Sequence, residues 1–575
     1  MSYRSAKWFD RTDELGLQNR AVLRVHGWSQ EFFAGKPVIG IANSWSDLNN
    51  CHLNLRTVAE AVKHGVIAAG GVPMEFNTIS LGEELMKPSA MLYRNLLAME
   101  VEEMLRAYPL DGVVLLGGCD KNTPAQLMAA ASANLPAIQV CAGPKETGHW
   151  RGQAVGSGTD LWKYWDEFRA GRLSEVDWQE IEAAYAGGPG TCNTMGTAST
   201  LTVLSEALGM MLPGSATISA HDPRRLATAA ASGQQIVELV HRDLRPAQIM
   251  TRAAFENALT VYAALGGSTN AIIHLLAIAG RLRVPLALED FDRVSRQTPM
   301  LLDLQPAGRH LMADFDAAGG APALMNELRD ALRLECLTVS GRTLGENLAA
   351  SESHADGVVI RSLAAPLQAA GSLAILRGNL APRGAVIRTS TASPRLLQHR
   401  GPALVFDSYD EMLARIDSPD LPVTAESVLV LRNAGAVGVP GMPEWGSIPL
   451  PAKLLAAGVT DMVRLSDARM SGTAYGAVAL HIAPEAAVGG PLALVQNGDF
   501  IELDVAKRSL SLLVDERELA RRRAAWLPPA TRHRRGYPHL YREHILQPDE
   551  GCDFDFLRPA SDEDLEFIPP VVGRS

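Results

Sequence analysis

Asp111-Gly-Val-Val-Leu-Leu-Gly-Gly-Cys-Asp-Lys-Asn-Thr-Pro124 opens as an apolar run, turns at two glycines and continues as a helix start. Residues 111–116 have the composition of a buried strand. The glycines allow a tight backbone turn. Asn122 or Thr123 is then placed to cap a helix that carries Pro124 in its first turn. Read this way, Cys119, Asp120 and Lys121 lie where strand passes to helix, at the carboxyl edge of a sheet, which is where α/β folds bind ligands.

The pattern extends in both directions. Pro37-Val-Ile-Gly-Ile-Ala42 and Leu135-Pro-Ala-Ile-Gln-Val140 are further strand patterns, residues 74–79 are strand-like, and residues 55–69 and 90–107 have helical periodicity. Strands alternating with helices predict a mainly parallel sheet covered by helices. Beyond about residue 365 the texture changes. Short strand patterns at 373–376, 385–388, 403–406, 427–431 and 462–465 are punctuated by Gly and Pro. Residues 500–504 and 509–513 flank a short turn and predict a hairpin, and 515–523 reads as a charged helix. The expectation is an α/β protein, with an N-terminal domain over 1–364 and a smaller, β-rich C-terminal domain over 365–575.

With 575 residues the chain is long enough for two or more domains with large cores. A net charge of −11 argues against a general nucleic-acid binder, which would carry a basic face. No apolar run reaches the ~18 residues of a membrane span, and residues 1–10 lack the apolar core of a signal peptide. A cytoplasmic protein is therefore expected, with no nucleic-acid or membrane partner. Six cysteines, none in a CxxC pair, are too few for a disulfide scaffold. A metal site would have to be assembled from distant segments.

Three loops each offer one cysteine. Cys51 ends Asn43-Ser-Trp-Ser-Asp-Leu-Asn-Asn-Cys-His52, a polar stretch after a strand that does not resemble a core. Cys119 lies in the turn quoted first. Cys192 lies in Gly187-Gly-Pro-Gly-Thr-Cys-Asn-Thr-Met-Gly196, ahead of a helix whose apolar face runs through Leu201, Leu204, Leu208 and Met211. A single loop cysteine is ordinarily incidental; three in similar loop-before-helix settings weigh against that. Cys141 and Cys336 read as small buried hydrophobes, and Cys552 as incidental in an acidic tail. Thiolates suit iron–sulfur clusters, which usually take four cysteines. Three would leave an open iron position of the kind a Lewis acid uses.

Glu83, Asp120 and Glu444 are loop carboxylates of the type that holds Mg²⁺, although exposed loop carboxylates are common. Lys121 alone reads as a solvated surface charge. Ser471, in Arg464-Leu-Ser-Asp-Ala-Arg-Met-Ser-Gly-Thr473, can expose its hydroxyl next to Gly472. A loop serine is ordinarily a turn residue, and no G-x-S-x-G elbow is present.

Taken together these segments resemble the dihydroxy-acid/phosphogluconate dehydratase family (IlvD/Edd) over nearly the whole chain. Cys119-Asp-Lys-Asn-Thr-Pro124 is similar to its first signature and Ser466-Asp-Ala-Arg-Met-Ser-Gly472 to its second. Ala264-Leu-Gly-Gly-Ser-Thr-Asn270, followed by an apolar helix with His274, and His481-Ile-Ala-Pro-Glu-Ala-Ala-Val-Gly-Gly490 also match family segments. The resemblance implies that Cys51, Cys119 and Cys192 hold a [2Fe-2S] cluster. It implies that Glu83, Asp120 and Glu444 hold Mg²⁺, with Lys121 carbamylated as a further ligand. Ser471 matches the family's proposed base, with Thr473 a substrate contact close to it. Ala468 and Met470 stand where branched-chain enzymes tend to have Gly and Phe. With Cys192-Asn-Thr-Met-Gly-Thr-Ala-Ser199 and Gly551-Cys-Asp-Phe-Asp-Phe-Leu557, they are more similar to the branch that dehydrates aldonates such as arabinonate or xylonate.

The expected activity is that of a hydro-lyase converting an aldonate to a 2-keto-3-deoxy sugar acid, in a homodimer or homotetramer. Two alternatives stand beside it. One is a dihydroxy-acid dehydratase of branched-chain amino-acid biosynthesis. The other is a non-catalytic anion- or nucleotide-binding protein using glycine-rich loops and helix N-termini, which leaves the three loop cysteines unexplained.

Overall fold

The computed structural model describes residues 3–531, 533–561 and 564; the outermost ends of both expected domains lie outside these residues. The N-terminal region is built on four parallel strands, β1 (Val38–Asn43), β2 (Val72–Asn77), β3 (Gly112–Gly117) and β4 (Ala137–Cys141), in the order β2-β1-β3-β4. β1, β3 and β4 are buried along their full length, because helices cover both faces, which is why they read as unbroken apolar runs. The helices Leu55–Ala68 and Pro223–His241 pack closely on each other, as do Arg94–Ala107 and Asn122–Ala133. The first contact depends on two glycines. A Cβ on Gly65 would sit 1.9 Å from the Ala230 carbonyl oxygen, and one on Gly233 would sit 2.2 Å from that of Val62.

The strand order fixes where a ligand can enter. β2 lies on one side of β1 and β3 on the other. The chain therefore leaves the carboxyl ends of β1 and β3 in opposite directions and opens a crevice between them. Cys51 follows β1, Glu83 follows β2, and Cys119 with Asp120 and Lys121 follows β3. Cys192 is far from β4 in sequence, yet its loop is tied to that strand's end: Thr191 bridges Pro144 and donates to the Gly143 carbonyl at 2.9 Å.

The C-terminal region is a closed eight-stranded barrel. Around it run Val428–Leu431, Arg464–Ser466, Val478–Ala483, Ala381–Arg388, Leu373–Gly378, Ser509–Leu512, Phe500–Asp504 and Gln398–Phe406. The expected hairpin is present, Phe500–Asp504 pairing antiparallel with Ser509–Leu512, and the charged helix spans Glu516–Ala525. Apolar side chains including Leu376, Ile387, Val430, Leu465 and Ile501 fill the barrel. The core around the parallel sheet continues into it through Leu373, Ile375 and Val386. Among the described residues no helix is long and apolar enough to cross a membrane.

Four expectations from sequence need correction. Cys51 is buried, because Asn43, Ser44, Asn49 and His52 around it are themselves buried and hydrogen-bonded rather than solvated. Lys121 is fully buried and occupies the cap position of the helix Asn122–Ala133 without a side-chain cap; Asn122 instead accepts from the Leu81 N–H at 3.1 Å. The helix after Cys192, Thr197–Ala207, is buried on every side rather than along one face. Cys552 is buried with its carbonyl accepting from Arg94 and Asn95, so its segment is part of the packed interior.

Candidate active site

One cavity of about 260 Å³ collects the residues singled out above. Cys51, Glu83, Cys119, Asp120, Cys192, Glu444, Ser471 and Thr473 all line it, and Lys121 lies behind the carboxylates, ion-paired to three of them.

The thiol wall is held by a histidine. Cys51 sits in a short 3₁₀ turn, Asn50–His52, whose first free N–H groups are met by Asn49, its side-chain oxygen accepting from the Cys51 N–H at 3.1 Å. His52 Nε2 accepts from the Cys119 N–H at 2.9 Å, and Nδ1 lies 2.8 Å from the Ser44 carbonyl oxygen. An N–H group cannot accept, so the ring must be neutral with its proton on Nδ1. Burial drives its pKa down to about 4, which keeps it so. His52 thereby ties the loop after β1 to the loop after β3. All six cysteines are free thiols. The contact with Cys119 and then burial raise the Cys51 pKa, and burial with the nearby Glu84 raises that of Cys192 to about 12. These thiols stay protonated near neutrality unless a cation reaches them.

The opposite wall is carboxylate-rich and cation-paired. Lys121 Nζ forms salt bridges with Asp120, with Glu444 at 3.2 Å and with Glu83 at 3.4 Å. Burial opposes its charge, but the three carboxylates outweigh that and raise its pKa. Arg469, fully buried, donates to Glu444 Oε2 at 2.6 Å, to the Met442 carbonyl at 2.8 Å and to Ser89 at 3.2 Å. Asn270 donates to the same Glu444 oxygen at 2.8 Å. Burial pushes Glu83 above the ordinary carboxylate range, against the pull of Lys121.

Local pairing brings the serine here. Glu444–Trp445 pairs in parallel with Arg469–Met470, and the Ser471 N–H continues the ladder to the Trp445 carbonyl at 2.8 Å. Ser471 Oγ lies 2.8 Å from Thr473 Oγ1 and accepts from the Thr473 N–H at 3.3 Å.

Among the described residues, no three His, Cys, Asp or Glu side chains stand close enough together to bind an ion as arranged; the carboxylates converge on the Lys121 ammonium instead. The donor chemistry nonetheless fits metals. One buried acceptor oxygen in this wall, Asn270 Oδ1, has no hydrogen-bond partner, and Glu83 Oε2 has only the Lys121 ammonium at 3.4 Å; a buried oxygen so poorly met favours a further cation or ligand. The three thiols are a soft donor set facing the same space. Sequence reasoning did not pick out His52, Arg469 or Asn270. All three stood inside quoted motifs, but nothing in the spacing tells a tether from a neighbour.

Comparison with known proteins gives matches over nearly the whole chain. Residues 36–347 match the model described as dihydroxy-acid/6-phosphogluconate dehydratase N-terminal, and 358–552 its C-terminal counterpart. A 6-deoxy-6-sulfo-D-gluconate dehydratase of Pseudomonas putida is 51% identical over 96% of both chains. An L-arabinonate dehydratase of Rhizobium leguminosarum bv. trifolii is 48% identical, and a putative dehydratase, IlvD1, of Rhizobium meliloti 51% identical, each over 96% of both chains.

Proposed function

The chain belongs to the dihydroxy-acid/6-phosphogluconate dehydratase family, and from that premise we propose that it is a hydro-lyase converting an aldonate to a 2-keto-3-deoxy sugar acid. The observation that carries this reading is the single cavity with thiols on one wall, carboxylates on the other and Ser471 beside them. Relatives named for sugar acids, 6-deoxy-6-sulfo-D-gluconate and L-arabinonate, are 51% and 48% identical, against 40% for a relative named dihydroxy-acid dehydratase. Glu84, Lys87, Tyr185 and Thr197 also line the cavity. These side chains offer polar partners to a hydroxylated substrate.

Cys51, Cys119 and Cys192 would hold a [2Fe-2S] cluster, and Glu83, Asp120, Glu444 and a carbamylated Lys121 would hold Mg²⁺. Bound there, the two groups supply Lewis-acid assistance to loss of the C3 hydroxyl and to the charge that develops beside the substrate carboxylate. Ser471 Oγ takes the C2 proton. The C2–H electron pair forms the C2=C3 bond, the C3–O bond breaks, and the proton taken by Ser471 passes to the departing oxygen, which leaves as water and returns Ser471 to its alkoxide form. The resulting enol tautomerises to the 2-keto acid. A free serine hydroxyl is too weak a base for this, and Ser471 is helped by the Thr473 N–H, which donates to its oxygen. Buried Arg469 and Asn270 fix Glu444 by charge-assisted hydrogen bonds. We place the division of labour near residue 364, with the cluster ligands and most Mg²⁺ ligands before it and the base after it.

A panel of pentonates and hexonates, with 2,3-dihydroxyisovalerate beside them, tests the assignment by 2-keto acid formation. An aldonate should exceed the branched-chain substrate in kcat/KM by about tenfold or more. A preference for 2,3-dihydroxyisovalerate would overturn the sugar-acid reading.

A further inference from the structure

We propose that Trp162 is a positioning residue for the base: its indole N–H fixes the direction of a hydrogen-bond relay, Trp162 to Thr473 to Ser471. The inference rests on the reading of Ser471 as base.

Trp162 belongs to the helix Thr159–Arg169, more than three hundred residues from Ser471 in sequence. Its Nε1 lies 3.1 Å from Thr473 Oγ1, and Thr473 Oγ1 lies 2.8 Å from Ser471 Oγ. An indole nitrogen is only a donor, so Thr473 must spend a lone pair on it. In the alkoxide form in which Ser471 acts as base, its oxygen is only an acceptor. Thr473 must then donate its single hydroxyl proton to Ser471. The alkoxide receives that bond and the Thr473 backbone N–H at 3.3 Å. A donor at the far end of such a chain strengthens the next bond along.

The surroundings are shaped to hold this order. The Thr159 hydroxyl donates to the Thr473 carbonyl at 2.8 Å, so the helix grips Thr473 at two points. Gly158, which precedes that helix, has φ +76°, and a Cβ there would lie 2.1 Å from Thr473 Oγ1. A Cβ on Gly446 would lie 2.1 Å from the Trp162 ring. Both glycines leave room that the relay occupies.

The test uses the full-length holoenzyme with L-arabinonate, or the fastest aldonate of the panel, in C2-protonated and C2-deuterated form. Trp162→Phe should lower kcat about tenfold with KM held within about twofold, and should raise the isotope effect on kcat, because proton removal becomes slower. Thr473→Val should do the same and Thr473→Ser should recover most of the loss. Combining Trp162→Phe with Thr473→Val should cost less than about twofold beyond either alone, because both cut one relay. If Trp162→Phe is unstable, benzothienylalanine at position 162 replaces N–H by sulfur at nearly constant shape and gives the same reading. Unchanged kcat and isotope effect, or losses that multiply, would overturn the role of Trp162. Ser471→Ala separates the two layers. If it is inactive while Trp162→Phe is indifferent, only the relay falls. If it turns over normally, the base reading itself falls.

Discussion

On one wall of the cavity Cys51, Cys119 and Cys192 are neutral thiols whose ionisation burial opposes. On the other, Glu83, Asp120 and Glu444 surround the buried cations Lys121 and Arg469. The carboxylate wall is close to electrically complete from its own side chains, since three carboxylates face two cations. Among the described residues the thiol wall has no ion pair of this kind, Lys145 only partly offsetting the effect of burial on Cys192; its order comes from the scaffold, through His52 and the ends of β1 and β3. A further cation meeting the thiols would favour their ionised form. The carboxylates hold their geometry without one and would exchange the Lys121 ammonium for a metal only when that lysine loses its positive charge.

This contrast can be broken from either side. The largest effect is expected on the thiol wall. Cys119→Ser removes a soft ligand at the best-anchored of the three positions. It should lower bound iron sharply and activity by about a thousandfold or more, as read by metal analysis and turnover. Full activity with low iron would detach the thiols from the chemistry. The carboxylate wall should respond reversibly. EDTA should cut turnover by about a hundredfold and Mg²⁺ should restore it, while bound iron stays constant. Indifference to chelation would remove the second metal. The smallest of the three effects on activity, but a clear one on stability, is expected at Glu444→Gln. It leaves buried Arg469 short of its charge partner and should cost about 3 kcal/mol, seen as a lower unfolding midpoint. An unchanged midpoint would mean that the Arg469 pair contributes little.

The sequence made some of this legible for definite reasons. β1, β3 and β4 read correctly to within a residue or two because strands covered on both faces are continuous apolar runs. The turn at Cys119 could be placed at the carboxyl edge because glycines and Pro124 punctuate it. The barrel's closure could not be read, since Leu373–Gly378 pairs with Ser509–Leu512 and Gln398–Phe406 with Phe500–Asp504. Such long-range pairings leave no local periodicity. Burial of Cys51 and Lys121 was missed for a related reason. Polarity predicts exposure only when the polar group lacks a partner, and the partners come from other segments: Ser80 and the Cys119 N–H for Asn49 and His52 beside Cys51, and Glu444 for Lys121. Trp162 had no signal at all: a tryptophan on a helix ordinarily reads as packing.

The most direct measurement is iron and acid-labile sulfide on protein purified without oxygen, alongside its turnover. Brown protein with about two of each per chain, active on an aldonate, is the expected result. Colourless chains free of iron that dehydrate the same acid at full rate would contradict the assignment of Cys51, Cys119 and Cys192.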